Sequence, residues 1–316
     1  MLIYDISSLV KTYPGQSQPA NDGITLQIPA GEIFGLLGDN GAGKSTLVRQ
    51  MANLLRCTSG SLTFLGHKLG LDPLQVPLNV GYMPQDALAI NNLTVGEALY
   101  FTAHLRGLSR VAAQLERQRL LDLWQIGPLR EKTGPQLSGG ERRLMQLAVA
   151  MAAHPPVLLL DEPTNDLDPQ RRKQVWDILR SLNQERGTTI IFITHDAIEA
   201  EKIIQRVGIM RLGKMVAIGK PSQLKAQVDR KLRLELFTSS DLPPCLPLGI
   251  QPQRVDNGRW LAYLERDQAS HVLSQLELSM VDDFRLYSAT LEDLYLYYAS
   301  STVECHESPA LPGSVI

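Results

Sequence analysis

The chain has 316 residues, 44% of them hydrophobic and 20% charged, with a net charge of −2. That is enough ordinary globular sequence for one large domain or two smaller ones, and the near-neutral balance argues against a basic face for nucleic acid or anionic lipid. Three scattered cysteines, Cys57, Cys245 and Cys305, form no CxxC pair and read as the reduced thiols of a cytosolic protein. No apolar run approaches the ~20 residues of a membrane helix, and the opening MLIYDISS lacks the regions of a signal peptide, so the chain is not expected to cross a membrane by itself.

Residues 2–13 and 24–28 alternate as strands across the polar loop Pro14–Gly23. A third strand, Glu32–Leu37, runs into Gly38–Thr46, GDNGAGKST, which has the phosphate-binding form G-x-x-x-x-G-K-[ST] between a strand and a helix. Its glycines let backbone N–H groups turn onto phosphate oxygens where a side chain would block the approach. Lys44 adds a point charge for the β- and γ-phosphates, Ser45 a hydroxyl for Mg²⁺, and the helix through Leu47 and Val48 aims its positive end at the same anion.

Gly60–Leu69 reads as a hairpin, and Gln85 follows a short strand in YMPQ. From Thr94 to about Trp124 the pattern is helical, with Val95, Ala98, Leu99 and Thr102 on one face. Leu137–Glu141, LSGGE, then leads into a helix through Ala152 whose N–H groups also suit an anion. Val157–Glu162, VLLLDE, is an apolar strand ending in two carboxylates, as a buried parallel strand would be. Asn165–Asp168 precedes a helix from Pro169 to Arg186, where proline fits the first turn. Strand Thr188–Thr194 delivers His195 at its carboxyl end, the ligand-binding edge of open α/β sheets. A helix Ala197–Gln205, a strand pair around Arg211–Lys214 and a helix Ser222–Val228 complete residues 1–230.

Residues 231–300 read as a separate small α+β module. Leu232–Phe237 alternates like a strand, a Pro-rich connection follows, and Asn257-Gly258 favours a hairpin turn. A helix Gln268–Leu278, a strand Asp283–Tyr287 and a last helix, opened by Thr290 with Asp293 three residues on, come next. Residues 301–316 are aperiodic and expected to be disordered. His67, His104, His154, His271 and His306 have no metal-ligand spacing. Tyr295, Tyr297 and Tyr298 read as helix packing or a partner-facing surface.

Over roughly residues 2–230 this order of motifs resembles the ATP-binding-cassette (ABC) ATPases. Gly38–Thr46 corresponds to Walker A, Gln85 to the Q-loop glutamine and Leu137–Glu141 to the signature. Val157–Glu162 corresponds to Walker B with its glutamate, Asn165–Asp168 to the D-loop, His195 to the switch histidine and Tyr13 to the aromatic on adenine. Glu141 stands where glutamine is commonest, and Asp166 where a small residue is usual. Every other position expected to do chemistry is intact.

The resemblance implies a P-loop α/β core, a mixed sheet of RecA-like type, with a helical subdomain at about 91–153. ATP would be bound by Tyr13, Gly38, Asn40, Gly41, Ala42, Gly43, Lys44, Ser45 and Thr46. Mg²⁺ would be held by Ser45, Gln85 and Asp161, with Glu162 as general base and His195, Gln85 and Lys44 assisting. Ser138, Gly139 and Gly140 would close over the nucleotide of a second subunit, so the chain would act as a homodimer or with a related ATPase. The segment TLEDLYLY at Thr290–Tyr297, the C-terminal module and EAEKIIQRVGIM at Glu199–Met210 resemble exporter subunits, although Ile204-Gln205 replace the usual Cys-Asp. The expectation is an ATP-hydrolysing subunit that drives a separate membrane permease from the inner face of the cell membrane. The alternatives are a soluble ABC ATPase acting on ribosomes or nucleic acid, which would usually carry two cassettes and basic extensions, and a regulatory ATPase without a pore.

Overall fold

The computed structural model describes residues 1–85, 92–194, 201–228, 231–239, 246–256, 258–276, 281–291 and 293–294. The chain divides into two compact units, Met1–Ile218 and Gly219–Thr302.

In the first unit, β1 (Leu2–Lys11) and β2 (Asn21–Pro29) pair antiparallel, and β4 (Ser59–Phe64) and β5 (His67–Lys68) extend the sheet in the order β2-β1-β4-β5. β3 (Ile33–Gly38) begins a second sheet with β6 (Val80–Met83), β7 (Val157–Asp161), β8 (Thr189–Ile193), β9 (Arg206–Arg211) and β10 (Lys214–Gly219), ordered β10-β9-β3-β8-β7-β6. The five strands from β9 to β6 run parallel. All five residues of β7 and of β8 are buried, which explains their continuous apolar sequences.

Register decides the site. Gly38 pairs with Met210, Asp161 with Ile193 and Met83 with Leu160, so the carboxyl ends of β3, β7, β8 and β6 share one sheet edge. Helix α1 (Lys44–Met51) leaves from that edge, and the Tyr4 hydroxyl ties β1 to it by donating to the Met51 carbonyl at 3.1 Å.

A short helix α2 (Gln75–Asn79), not foreseen in the sequence, precedes β6. The expected helical stretch 94–124 is two helices, α3 (Val95–Leu105) and α4 (Arg110–Leu123). Gly107 at φ 98° breaks the run, and Ser109 restarts it by accepting from the Ala112 amide at 3.2 Å. α5 (Gly139–Met151) and α6 (Pro169–Arg186) match their expected spans closely. Residues 197–200 of the expected helix 197–205 lie outside the described residues; of the rest only Glu201 is helical, and 202–205 turn into β9 (Arg206–Arg211).

The second unit opens with α7 (Pro221–Val228) and forms an antiparallel sheet of β11 (Leu232–Phe237), β12 (Gln253–Asp256), β13 (Arg259–Leu264) and β14 (Asp283–Ser288), ordered β12-β13-β11-β14. With α8 (Ala269–Gln275) it encloses a core that includes Leu234, Leu236, Trp260, Leu264 and Val272. Thr290 and Asp293 make the reciprocal bonds of a capping box, at 2.8 and 3.2 Å. Asn257 of the expected turn, half of the TLEDLYLY segment, the tyrosines at 295, 297 and 298, and residues 301–316 lie outside the described residues.

Candidate nucleotide site

The Gly38–Thr46 loop curls around the ammonium of Lys44, which donates to the Gly38 carbonyl at 2.6 Å and the Asp39 carbonyl at 2.8 Å. Two glycines are required by space as well as by φ. A Cβ on Gly43, at φ 99°, would stand 2.1 Å from the Ala20 carbonyl oxygen, and one on Gly38 would stand 2.3 Å from that of Met210. Gly41 also has positive φ, 83°, but nothing within 4 Å. Asn21 braces the loop from outside by donating to the Gly43 carbonyl at 3.0 Å. Asn40, like Gly41, is exposed, whereas Ala42 is buried.

At the end of β7, Asp161 is 2% and Glu162 9% exposed. Burial raises the Asp161 pKa above the ordinary aspartate value, and Glu162 adds to the rise. The Ser45 hydroxyl and the charges of Lys44 and Arg49 favour the ionised form. Burial likewise lowers the Lys44 pKa, opposed by Glu162, Asp161 and Asp39. One ammonium, one hydroxyl and two carboxylates therefore converge at the sheet edge. Tyr82, whose pKa is raised by burial and then by Asp161, also borders this group.

Tyr13 lies beside the same helix, its hydroxyl 3.3 Å from that of Thr46, with the Lys11 ammonium 5.5 Å from its ring centre. Gln85 is exposed, two residues beyond β6, and its carbonyl accepts from Arg143 of α5 at 3.5 Å. His195 lies outside the described residues.

Ser138 caps α5: its hydroxyl accepts from the Glu141 amide at 3.3 Å, and the Glu141 carboxylate accepts from the Ser138 amide at 2.8 Å. That second bond holds the Glu141 pKa below the ordinary glutamate value, and it is a capping-box contact that glutamate and glutamine can both make. Asp166 packs behind the signature: a Cβ on Gly139 would stand 3.4 Å from the Asp166 Cβ, and one on Gly140 3.1 Å from its carbonyl oxygen. Asp166 has φ 62°, a left-handed conformation that aspartate adopts more readily than most residues.

Sequence reasoning passed over Asn21, Arg49, Tyr82 and Arg143. None belongs to a phosphate-binding or metal-binding pattern, and each is brought to the site by tertiary packing.

Residues 21–165 match the family model for the ABC transporter, and residues 133–200 also match one for an AAA domain (putative AbiEii toxin, type IV TA system). The daunorubicin/doxorubicin resistance ATP-binding protein DrrA of Streptomyces peucetius is 33% identical over 302 residues, covering 92% of this chain and 91% of DrrA. The chain belongs to the ABC transporter ATPases. It is 30% identical over 329 residues to the retinal-specific phospholipid-transporting ATPase ABCA4 of Homo sapiens, covering 98% of the chain but 14% of that much longer protein. Among solved structures, the dimeric post-hydrolysis state of the ATP-binding cassette MJ0796, bound to ADP and Pi, superposes with a TM-score of 0.65 at 25% identity. That match covers 69% of this chain and 98% of the other. As a member of this family the protein is an ATPase, and among the described residues no helix is long and apolar enough to cross a membrane.

Proposed function

We propose that this ABC ATPase drives an exporter whose pore is a separate membrane permease, and that it works as a head-to-tail dimer. The observation that carries its hydrolytic part is the convergence of Lys44, Ser45, Asp161 and Glu162 at one sheet edge. Residues 1–230 are assigned to nucleotide binding, with the helical subdomain at about 91–153, and residues 231–300 to an accessory module.

In this reading the Gly38–Thr46 amides and Lys44 hold the triphosphate, and Tyr13 stacks on adenine. Ser45 and the Asp161 carboxylate form an oxygen donor set suited to Mg²⁺, a hard cation bound by one or two protein oxygens together with phosphates and water. Bound there, Mg²⁺ would neutralise charge on the phosphoryl oxygens. Glu162 takes a proton from the attacking water, Gln85 and His195 help place that water and the γ-phosphate, and Lys44 follows the developing charge. Such positioning accounts for most of the rate in phosphoryl transfer, because little covalent work is asked of the protein.

The N-terminus of α5, with Ser138, Gly139 and Gly140, is suited to the γ-phosphate held by the other subunit. ATP then draws the subunits together, and hydrolysis releases them. The likeness to DrrA along nearly the whole chain supports an exporter acting from the inner face of the membrane.

Mixing two inactive variants tests this composite site. Lys44→Ala disables one P-loop and Ser138→Arg one signature, yet their heterodimer retains one site made from the two intact halves. Recovery of ATPase activity on mixing is the expected result. Activity retained by Ser138→Arg alone, or no recovery from a mixture shown to form heterodimers, overturns it.

A further inference from the structure

The signature helix α5 is fastened to β6, the strand that leads to Gln85, near both of its ends. At the C-terminal end, Arg106 donates through Nη1 to the carbonyls of Val149, Ala150 and Ala152, at 3.3, 2.8 and 2.7 Å, and through Nη2 to that of Val80 at 3.3 Å. A cation at the carbonyl end of a helix is where the helix dipole favours it. The backbones themselves meet there: a Cβ on Gly81 would stand 2.0 Å from the Ala150 carbonyl oxygen, so no side chain fits between α5 and β6.

Closer to the other end the attachment is of a different kind. Arg143 is 7% exposed, and its Nη1 reaches the Gln85 carbonyl at 3.5 Å and the Gln146 side-chain oxygen at 3.3 Å. A guanidinium this deeply buried is costly unless its N–H groups are bonded, and the Gln85 carbonyl, at a long 3.5 Å, is one of the acceptors that Arg143 has. The same strand is therefore tied to the helix twice, by backbone contact and Arg106 at Val80–Gly81, and by one side chain just past its end.

We propose that Arg143 is a positioning residue that carries the placement of the Gln85 backbone into the signature Ser138-Gly139-Gly140, with the Arg106 end of α5 as the pivot. The inference rests on the composite-site reading above. Helical rise puts Arg143 roughly 10 Å and Ser138 roughly 18 Å along the axis from Ala150, so a shift at Arg143 is enlarged about 1.7-fold at Ser138. A displacement of 1–2 Å is about what separates a formed phosphate hydrogen bond from a broken one.

The test uses Arg143→Met and Arg143→Lys in the full chain, each also combined with Glu162→Gln to read ATP-driven dimerisation. Arg143→Met is expected to bind a fluorescent ATP analogue as a monomer within twofold of wild type. Its kcat should fall tenfold or more, and the ATP concentration that half-dimerises the Glu162→Gln form should rise tenfold or more. Arg143→Lys, which keeps a donor to the Gln85 carbonyl, should recover a substantial part of both. Amide hydrogen exchange in Arg143→Met should quicken at Ser138–Glu141 and stay unchanged at Gly41–Thr46.

Turnover and dimerisation within twofold of wild type would overturn the proposal. So would an equal loss of monomer nucleotide binding and thermal stability that lysine does not repair, since that is the signature of a merely structural residue. If Arg143→Met does not fold, the Arg143→Lys pair of measurements decides: both losses must appear in reduced form, with monomer binding unchanged. A wild-type chain that hydrolyses ATP without dimerising removes the composite-site reading instead, and the exchange pattern then judges the link between Arg143 and the signature alone.

Discussion

The amide of Glu162 donates to the Ile193 carbonyl at 2.9 Å, while Glu162 itself has φ 53°. The bond joins the end of β7 to the end of β8, and the left-handed turn sets the direction in which the carboxylate leaves the strand. A non-glycine residue held in that conformation by its neighbours is costly unless the surroundings fix it, which is common where a side chain must be aimed. Glu162→Gln preserves the backbone and the shape of the side chain but removes the proposed base. Hydrolysis is expected to fall by about 10²–10⁴-fold with ATP affinity retained, as measured by phosphate release and equilibrium binding. Turnover within tenfold of wild type would assign the base elsewhere.

Asp161 gives a prediction on stability. Its pKa is raised in the fold, chiefly by burial. A carboxyl whose folded pKa exceeds its unfolded value weakens the fold at every pH above both, and that cost disappears as the pH falls through them. Asp161→Asn should therefore melt at a higher temperature than wild type at pH 7. The gap should close as the pH is lowered toward the ordinary aspartate range. Hydrolysis should drop at least about a hundredfold in the same variant, since Ser45 and Lys44 lose their charged partner. A lower melting temperature at neutral pH would contradict the electrostatic reading.

The glycines of the phosphate loop differ in what they tolerate. Gly43→Ala forces a Cβ to within 2.1 Å of the Ala20 carbonyl, in addition to the strain of φ 99°. It should cost at least about 2 kcal/mol in denaturant unfolding and abolish nucleotide binding. Gly41→Ala meets no atom within 4 Å and carries only the backbone strain. It should be the milder of the two in unfolding free energy, and the reverse order would contradict the close approach of Gly43 to Ala20.

Tyr13 shares a hydroxyl contact with Thr46 but would bind adenine through its ring. Tyr13→Phe keeps the ring and should hold ATP affinity within about threefold, whereas Tyr13→Ala should lose about tenfold, the usual scale of base stacking. Equal losses in the two variants would assign the residue's role to the hydroxyl.

Much of this site was legible because its motifs record backbone necessities. Gly38 and Gly43 cannot bear a side chain against Met210 and Ala20, and β7 opens with the apolar run VLLL because both its faces are covered. The two departures from the family pattern also have local causes. Glu141 completes the cap on Ser138 as glutamine would, and Asp166 takes a left-handed turn that suits aspartate.

Features that depend on distant partners were not readable. Asn21, Arg106 and Arg143 act on main-chain atoms 22, 26 to 46, and 58 residues away, and no spacing rule announces such bonds. The break between α3 and α4 was overlooked for another reason. Apolar spacing continues through Gly107 and Ser109, although those two residues are themselves the stop and start signals.

Co-purification from native membranes would show what this ATPase drives. The Glu162→Gln form is held with ATP, extracted, and its companions are identified and quantified. One integral membrane protein in an amount matching the ATPase is expected. A dimer with no membrane protein, or one that brings ribosomes with it, would contradict the transporter assignment.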